Sequence, residues 1–270
     1  MRYRIILTVA ALVVPLVGCF AQMGALGYIE YGYSISPYNS EQLKVFMTSY
    51  NDYYRPDQPF SMNIPAAKGD YFKFGLGVGA GVKGVFDFTI YKCKSSPLEA
   101  RYANGTGRDV WYEIRNTTSN VGVRFGGTNN VPVWFQVNIN SMIQHITIGS
   151  AYVFADGSRS LGYDHSLNGL YTDFNLIFGL GIGAGWKIAG PVAVSGTIDY
   201  IGRGIDSKSH PEYHQYDDNQ DINTSDRYIP QDLTAWTNGA FATENSIYND
   251  FHGFRFTFGI QLMLSGGGDE

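Results

Sequence analysis

The chain reads as all-β: eight strands closed into an antiparallel transmembrane β-barrel with long extracellular loops. Three observations point there. Runs with period-two alternation recur along the sequence, an export leader precedes them, and the connections between them alternate between long and short. Successive side chains of a strand point to opposite faces, so each run is a ribbon with one apolar face and one polar or small face. In a membrane barrel the apolar face meets lipid and the other lines the interior.

Residues 1–22 have the parts of a signal peptide: Arg2 and Arg4, an apolar stretch from Ile5 to Val17, and small residues at Cys19 and Ala21. The stretch is shorter than the roughly 20 residues a spanning helix needs. Cleavage gives a mature start near Gln22; the run Leu16-Val17-Gly18-Cys19, similar to a lipobox, makes lipidation of Cys19 the rival reading. The expected division is a leader over 1–22, a barrel over 23–264 and a short tail over 265–270. Once Cys19 is removed, Cys93 is the only cysteine left and no intramolecular disulfide can form. The chain holds 33 glycines, 20 tyrosines and 17 phenylalanines, with charged residues at only 16%, which suits a ribbon facing lipid. A net charge of −5 argues against a nucleic-acid surface, which needs a basic footprint.

The first strand covers about Gly24 to Ile35, with Ile29, Tyr31, Tyr33 and Ile35 opposing Tyr28, Glu30, Gly32 and Ser34. In the second, Phe72, Phe74, Leu76, Val78 and Ala80 oppose Lys73, Gly75, Gly77 and Gly79; in the third, Phe86, Phe88 and Ile90 oppose Asp87, Thr89 and Tyr91. The fourth, about Val110 to Phe125, sets Val121, Val123 and Phe125 against Asn120, Gly122 and Arg124. The fifth sets Val133, Phe135, Val137 and Ile139 against Trp134, Gln136, Asn138 and Asn140. Strand six runs from Asp173 to Trp186, strand seven from Val192 to Tyr200, and strand eight, Phe254 to Leu264, alternates with Phe254, Phe256, Phe258, Ile260, Leu262 and Leu264 on one face. Strands four and five are longer than the ~9–11 residues that cross a bilayer, so their excess should project as a ribbon. Their phasing slips near Asn116 and near Ser141 to Met142, which predicts bulges.

The short connections are Gly81-Val82-Lys83-Gly84, Gly126 to Asn130 and Ala189-Gly190-Pro191; the others are medium or long. That parity is expected when short turns lie on the periplasmic side and long loops outside. The glycines of strands two and six alternate with apolar residues inside strands, without the following helix that a phosphate loop needs. They read as packing devices that make room for larger neighbours across the lumen.

The inner faces carry Glu30, Lys73, Asp87, Arg124, Asp173, Asp199 and Arg255. Burying such groups singly costs several kcal/mol each, so they are expected to pair or hold water in a plugged polar interior. A narrow gated ion path along them is the alternative.

In the first loop, Leu43, Phe46, Met47, Tyr50 and Tyr54 recur at helical spacing after an N-cap at Asn39 or Ser40, with Pro56 ending the pattern. Capping of the barrel mouth is the economical role for that apolar stripe. In the last loop Asp217, Asn219, Asp221 and Asn223 sit at alternate positions, as in the start of a calcium loop, but the glycine and the closing Glu are missing. A solvated acidic loop is the simpler reading. No metal or other cofactor is expected. Asp164-His165-Ser166 holds the residue types of a hydrolytic triad, but sequence neighbours seldom face one another as a triad requires. We therefore expect no catalytic site, with Ser166 and His165 the sole candidates for a lipid-modifying enzyme.

The whole pattern resembles the small outer-membrane β-barrels of Gram-negative bacteria, such as the OmpA membrane domain and OmpX, and its Gly- and Tyr-rich style is similar to barrels of the Bacteroidota. Thr257-x-Gly259-x-x-Leu262-x-Leu264 resembles the C-terminal insertion signal of such barrels, with Leu264 where most carry a terminal aromatic residue. The resemblance implies residence in the bacterial outer membrane, contact with its lipid, and insertion by the barrel assembly machinery. It also implies a structural or surface-interaction protein whose loops meet an extracellular ligand or an envelope-complex partner.

Overall fold

A computed structural model describes residues 25–79, 81–127, 131–161, 167–202, 212–217, 220–225 and 251–265. Eight strands form a ring: β1 (Ala25–Ser36), β2 (Ala67–Val78), β3 (Val82–Lys94), β4 (Gly107–Gly126), β5 (Val133–Val153), β6 (Gly169–Ala189), β7 (Val192–Ile201) and β8 (His252–Ser265). Each pairs antiparallel with its sequence neighbours, and β8 closes the ring on β1 from Leu26↔Ser265 to Ile35↔Phe256. Closure leaves no unpaired edge within the ring, the condition for a sheet to cross lipid.

The outward face agrees with the alternation in the sequence. Val121, Phe135, Ile139, Leu180, Ile182, Phe258 and Ile260 are each about 60% exposed, a belt that a water-soluble domain would bury. Glu30, Lys73, Asp87, Arg124, Asp199 and Arg255 point the other way and are buried. Short links join β2 to β3, β4 to β5 and β6 to β7 at the end where both chain termini of the ring lie; the four long connections share the opposite end.

Four details differ from the sequence reading. Gly79 and Gly81 have φ of 138 and 74, and Val82, Lys83 and Gly84 belong to β3 rather than to the turn. No bulge interrupts β4 and β5, whose register runs unbroken from Gly107↔Val153 to Gly126↔Trp134. What slips near Asn116 and Ser141–Met142 is chemistry. Toward the short-turn end the inner side chains are Thr118, Asn120, Asn138 and Asn140; beyond the Asn116↔Gln144 pair, toward the long loops, they are Val110, Tyr112, Ile114, Ile146 and Ile148, while the outside becomes charged. The strands leave lipid there, and their inner face begins to line an apolar core.

Gly75 and Gly185 accommodate the residue paired beside them, and not one across the lumen. A Cβ on Gly75 would run into the ring of Tyr28, its partner on β1, and one on Gly185 into the ring of Trp134, its partner on β5. Last, part of the acidic final loop is a β-hairpin, Glu212–Asp217 with Gln220–Ser225, whose first strand extends the sheet from β6 at Tyr213↔Tyr171. Asp221 and Asn223 thus belong to a strand, on either side of a register shift. Asp218, Asn219, the Asp164-His165-Ser166 triplet, the leader over 1–22 and residues 266–270 lie outside the described residues.

Helix α1 (Glu41–Tyr54) starts at Ser40, whose hydroxyl accepts from the Leu43 N–H at 3.1 Å, and ends at Arg55 in the left-handed region. Its Leu43, Phe46, Met47 and Tyr50 share one buried cluster with Tyr112, Ile114, Met142, Ile146, Ile148, Ile177 and Phe251. The apolar stripe therefore seats in the mouth of the barrel. Asn51 ties the returning chain to the helix, donating to Phe60 O at 3.1 Å and accepting from Phe60 N at 2.8 Å.

Candidate functional site

Parity along the strands puts all seven sequence-predicted charges inside, and the register decides which of them meet. Glu30 on β1 faces Lys73 on β2, with Nζ 3.4 Å from Oε1; the same carboxylate accepts from Tyr71 Oη at 2.5 Å and Gln261 Nε2 at 3.1 Å. Asp199 on β7 faces Arg255 on β8, with Nη2 3.0 Å and Nε 3.2 Å from Oδ2, and Asn140 Nδ2 donates to its Oδ1 at 2.9 Å. The Arg255 guanidinium lies 3.8 Å from the centroid of the Tyr91 ring.

Asp87 and Arg124 do not touch. Asp87 accepts from Tyr28 Oη at 3.0 Å, from Gln136 Nε2 at 3.4 Å and from Asn120 Nδ2. Arg124 donates through Nε to Gln136 Oε1 at 2.8 Å, so one amide links anion and cation. The guanidinium is also held against Trp134 and Tyr28, 4.1 and 4.5 Å from the ring centroids. Asp173 lies near the long-loop end, where it accepts from the Phe174 N–H at 2.8 Å. Sequence reasoning missed the neutral partners Tyr28, Tyr71, Asn120 and Gln136, and it missed buried Lys83. Their inward parity was readable; their pairings follow only from register.

The residues of the expected insertion signal occupy β8. Thr257 is buried, its hydroxyl 2.5 Å from that of Thr197; Gly259 lies where a Cβ would meet Tyr71 Oη; Leu262 faces outward; Leu264 pairs through its backbone with Gly27.

A second set of charges, absent from the sequence reading, organises the long-loop end. Asp109 is fully buried and pairs with Arg101 Nη2 at 2.6 Å and Arg159 Nη2 at 2.5 Å, one from each of two different loops. Beside it Arg108 donates to Ser150 Oγ at 2.8 Å and Asn168 Oδ1 at 3.1 Å. Residues Leu98–Arg101 add a short strand to β4, and Arg159–Ser160 pair with β5. At the exposed turn beyond, Ser158 donates to Asp156 Oδ1 through its hydroxyl at 2.6 Å and its N–H at 2.9 Å, which holds that carboxyl below its usual range. Among the described residues no group of three or more His, Cys, Asp or Glu side chains is arranged to hold a metal.

A closed ring with an apolar outer belt and a polar interior is built to cross a bilayer. The chain is a transmembrane β-barrel, and its place is the bacterial outer membrane, where barrels of this kind reside. No protein-family model matches the sequence, and no curated protein matches it. Among solved structures it is similar to Ail, the attachment invasion locus protein of Yersinia pestis, with 10% identity over 90% of this chain and 100% of that one and a TM-score of 0.42. It is also similar to Neisserial surface protein A (10% identity, 88% and 96% covered, TM-score 0.33) and to the outer membrane protease OmpT from Escherichia coli (8% identity, 89% and 97% covered, TM-score 0.34).

Proposed function

We propose that this barrel is a structural and surface-interaction protein: an outer-membrane anchor with a plugged polar interior that presents its long loops as a fixed external surface. One observation carries the reading. The long-loop end has an apolar core of its own, in which α1, Phe60, Leu98, Leu167 and Phe251 from the connections pack against the upper parts of β4, β5 and β6. Loops that only returned the chain to the membrane would need no such core. Binding surfaces sit on loops held by a rigid scaffold, and here the scaffold continues beyond the lipid. In this reading the chain is not an enzyme, and its finer kinship is with OmpA- and OmpX-like barrels of Bacteroidota style. Thr257, Gly259, Leu262 and Leu264 would address it to the barrel assembly machinery.

Replacing residues 95–106 and 154–168 by short turns tests the proposal. The shortened barrel should keep heat-modifiable gel mobility and fractionate with the outer membrane, while surface attachment of the cells, or co-purification of envelope proteins, falls. Unchanged attachment and unchanged co-purification would refute it.

A second reading, a narrow gated channel, is favoured by Arg124 Nη1 and Arg255 Nη1. Among the described residues both are buried donors without a hydrogen-bond partner, so the lumen has room in its hydrogen bonding for water.

A further inference from the structure

The belt ends on one sharp row of residues. Reading across β2 to β5, Phe72, Ile90 and Ile143 belong to the apolar outside; the next outward residues toward the long loops are Asp70, Lys92, Arg115 and His145, each directly opposite the next. One step higher Lys68 faces Lys94, and Lys94 faces Glu113. Two of these cross-strand pairs, Lys68 with Lys94 and Lys92 with Arg115, place like charges directly opposite, an arrangement that destabilises a sheet by itself.

Local partners compensate only part of this charge. Glu113 pairs with Lys94 at 3.1 Å and reaches Arg115 at 3.9 Å, and Lys94 also lies 5.5 Å from the Trp111 ring. Among the described residues Lys68 and Lys92 form no ion pair, although Asp70 stands opposite Lys92. Four cations against Asp70 and Glu113 leave an excess of two positive charges on a chain whose net charge is −5. All four cations are exposed, and they occupy one sector of the barrel just beyond the end of the apolar belt.

We propose that Lys68, Lys92, Lys94 and Arg115 form a binding site for the phosphate groups of outer-leaflet lipid headgroups. The proposal rests on the outer-membrane reading, with the long loops outward. Phosphate oxygens would sit between the facing cations and convert two repulsive pairs into bridged ones, while the acyl chains continue down the belt beside Phe72 and Ile90. Lys and Arg are the side chains suited to that ligand, Lys as a point charge and Arg as a fork.

The test uses the full mature chain folded in detergent micelles, with native mass spectrometry as the readout. The probes are a bis-phosphorylated lipid A, the same lipid after enzymatic dephosphorylation, and inorganic phosphate. The wild type should retain the phosphorylated lipid roughly tenfold better than the dephosphorylated one. Lys68→Gln with Lys92→Gln should lose about tenfold of that retention. Lys44→Gln, on the exposed side of α1, should lose none. Equal retention of the two lipids, or an unaffected double variant, would overturn the proposal, as would displacement by millimolar inorganic phosphate, which would assign the patch to a soluble anion. Heat-modifiable mobility is recorded for each variant; its absence from the wild type would instead remove the membrane-barrel reading beneath the proposal.

Discussion

Asp199 and Arg255 stand directly opposite each other on β7 and β8, both buried in the lumen, with their charged atoms 3.0 Å apart. Removing one member of such a pair leaves an uncompensated buried charge, at a cost of about 3–5 kcal/mol. Asp199→Asn should therefore lower the unfolding midpoint in urea, measured on barrel folded into lipid vesicles. Asp199→Leu combined with Arg255→Met should recover much of the loss. A double variant as unstable as the sum of the singles would show that the two residues act independently.

Gly185 leaves the space that the Trp134 ring fills, and that ring in turn stacks on Arg124. Gly185→Val should cost about 1–3 kcal/mol by overpacking. It should also change the emission of Trp134, measured in a variant retaining Trp134 as the only tryptophan. Gly190→Ala, with open space around the position but a positive φ, should perturb stability without moving that emission.

Ser40 caps α1, and Phe46 is wholly buried beneath it. Ser40→Ala should cost about 1 kcal/mol and Phe46→Ala about 3–5 kcal/mol. These losses should appear as faster amide exchange in 41–54 while the strands below the charged row keep their protection. Uniform loss over the whole ring would mean that cap and barrel unfold as one unit.

Asp109 fastens two loops through Arg101 and Arg159. Asp109→Asn should open trypsin cleavage at both arginines in intact barrels, with heat-modifiable mobility retained. Cleavage as slow as in the wild type would deny Asp109 that role.

The strands were legible because lipid demands an unbroken apolar row on one face of each, and Phe254 to Leu264 and Val133 to Ile139 supply it residue by residue. Parity then placed Glu30, Lys73 and Arg255 inside. It could not say that Arg124 would reach Asp87 only through Gln136, because that depends on register between strands distant in sequence. The apparent slips at Asn116 and Met142 misled because hydrophobic pattern reports environment, and there the environment inverts while the backbone runs straight. Asp109 was hidden because its partners come from two loops, and no local spacing announces them. The 212–225 hairpin was obscured by acidic residues that read equally well as a solvated loop.

Single-channel recording in planar bilayers tests the central claim most directly: the proposal that the Glu30, Asp87 and Asp199 clusters, capped by α1, leave no continuous path for ions. The wild-type barrel should show no steady conductance, and removal of residues 41–54 should add at most brief openings. Steady wild-type channels abolished by Arg255→Ala would contradict the plugged barrel and establish an ion path along the lumen charges.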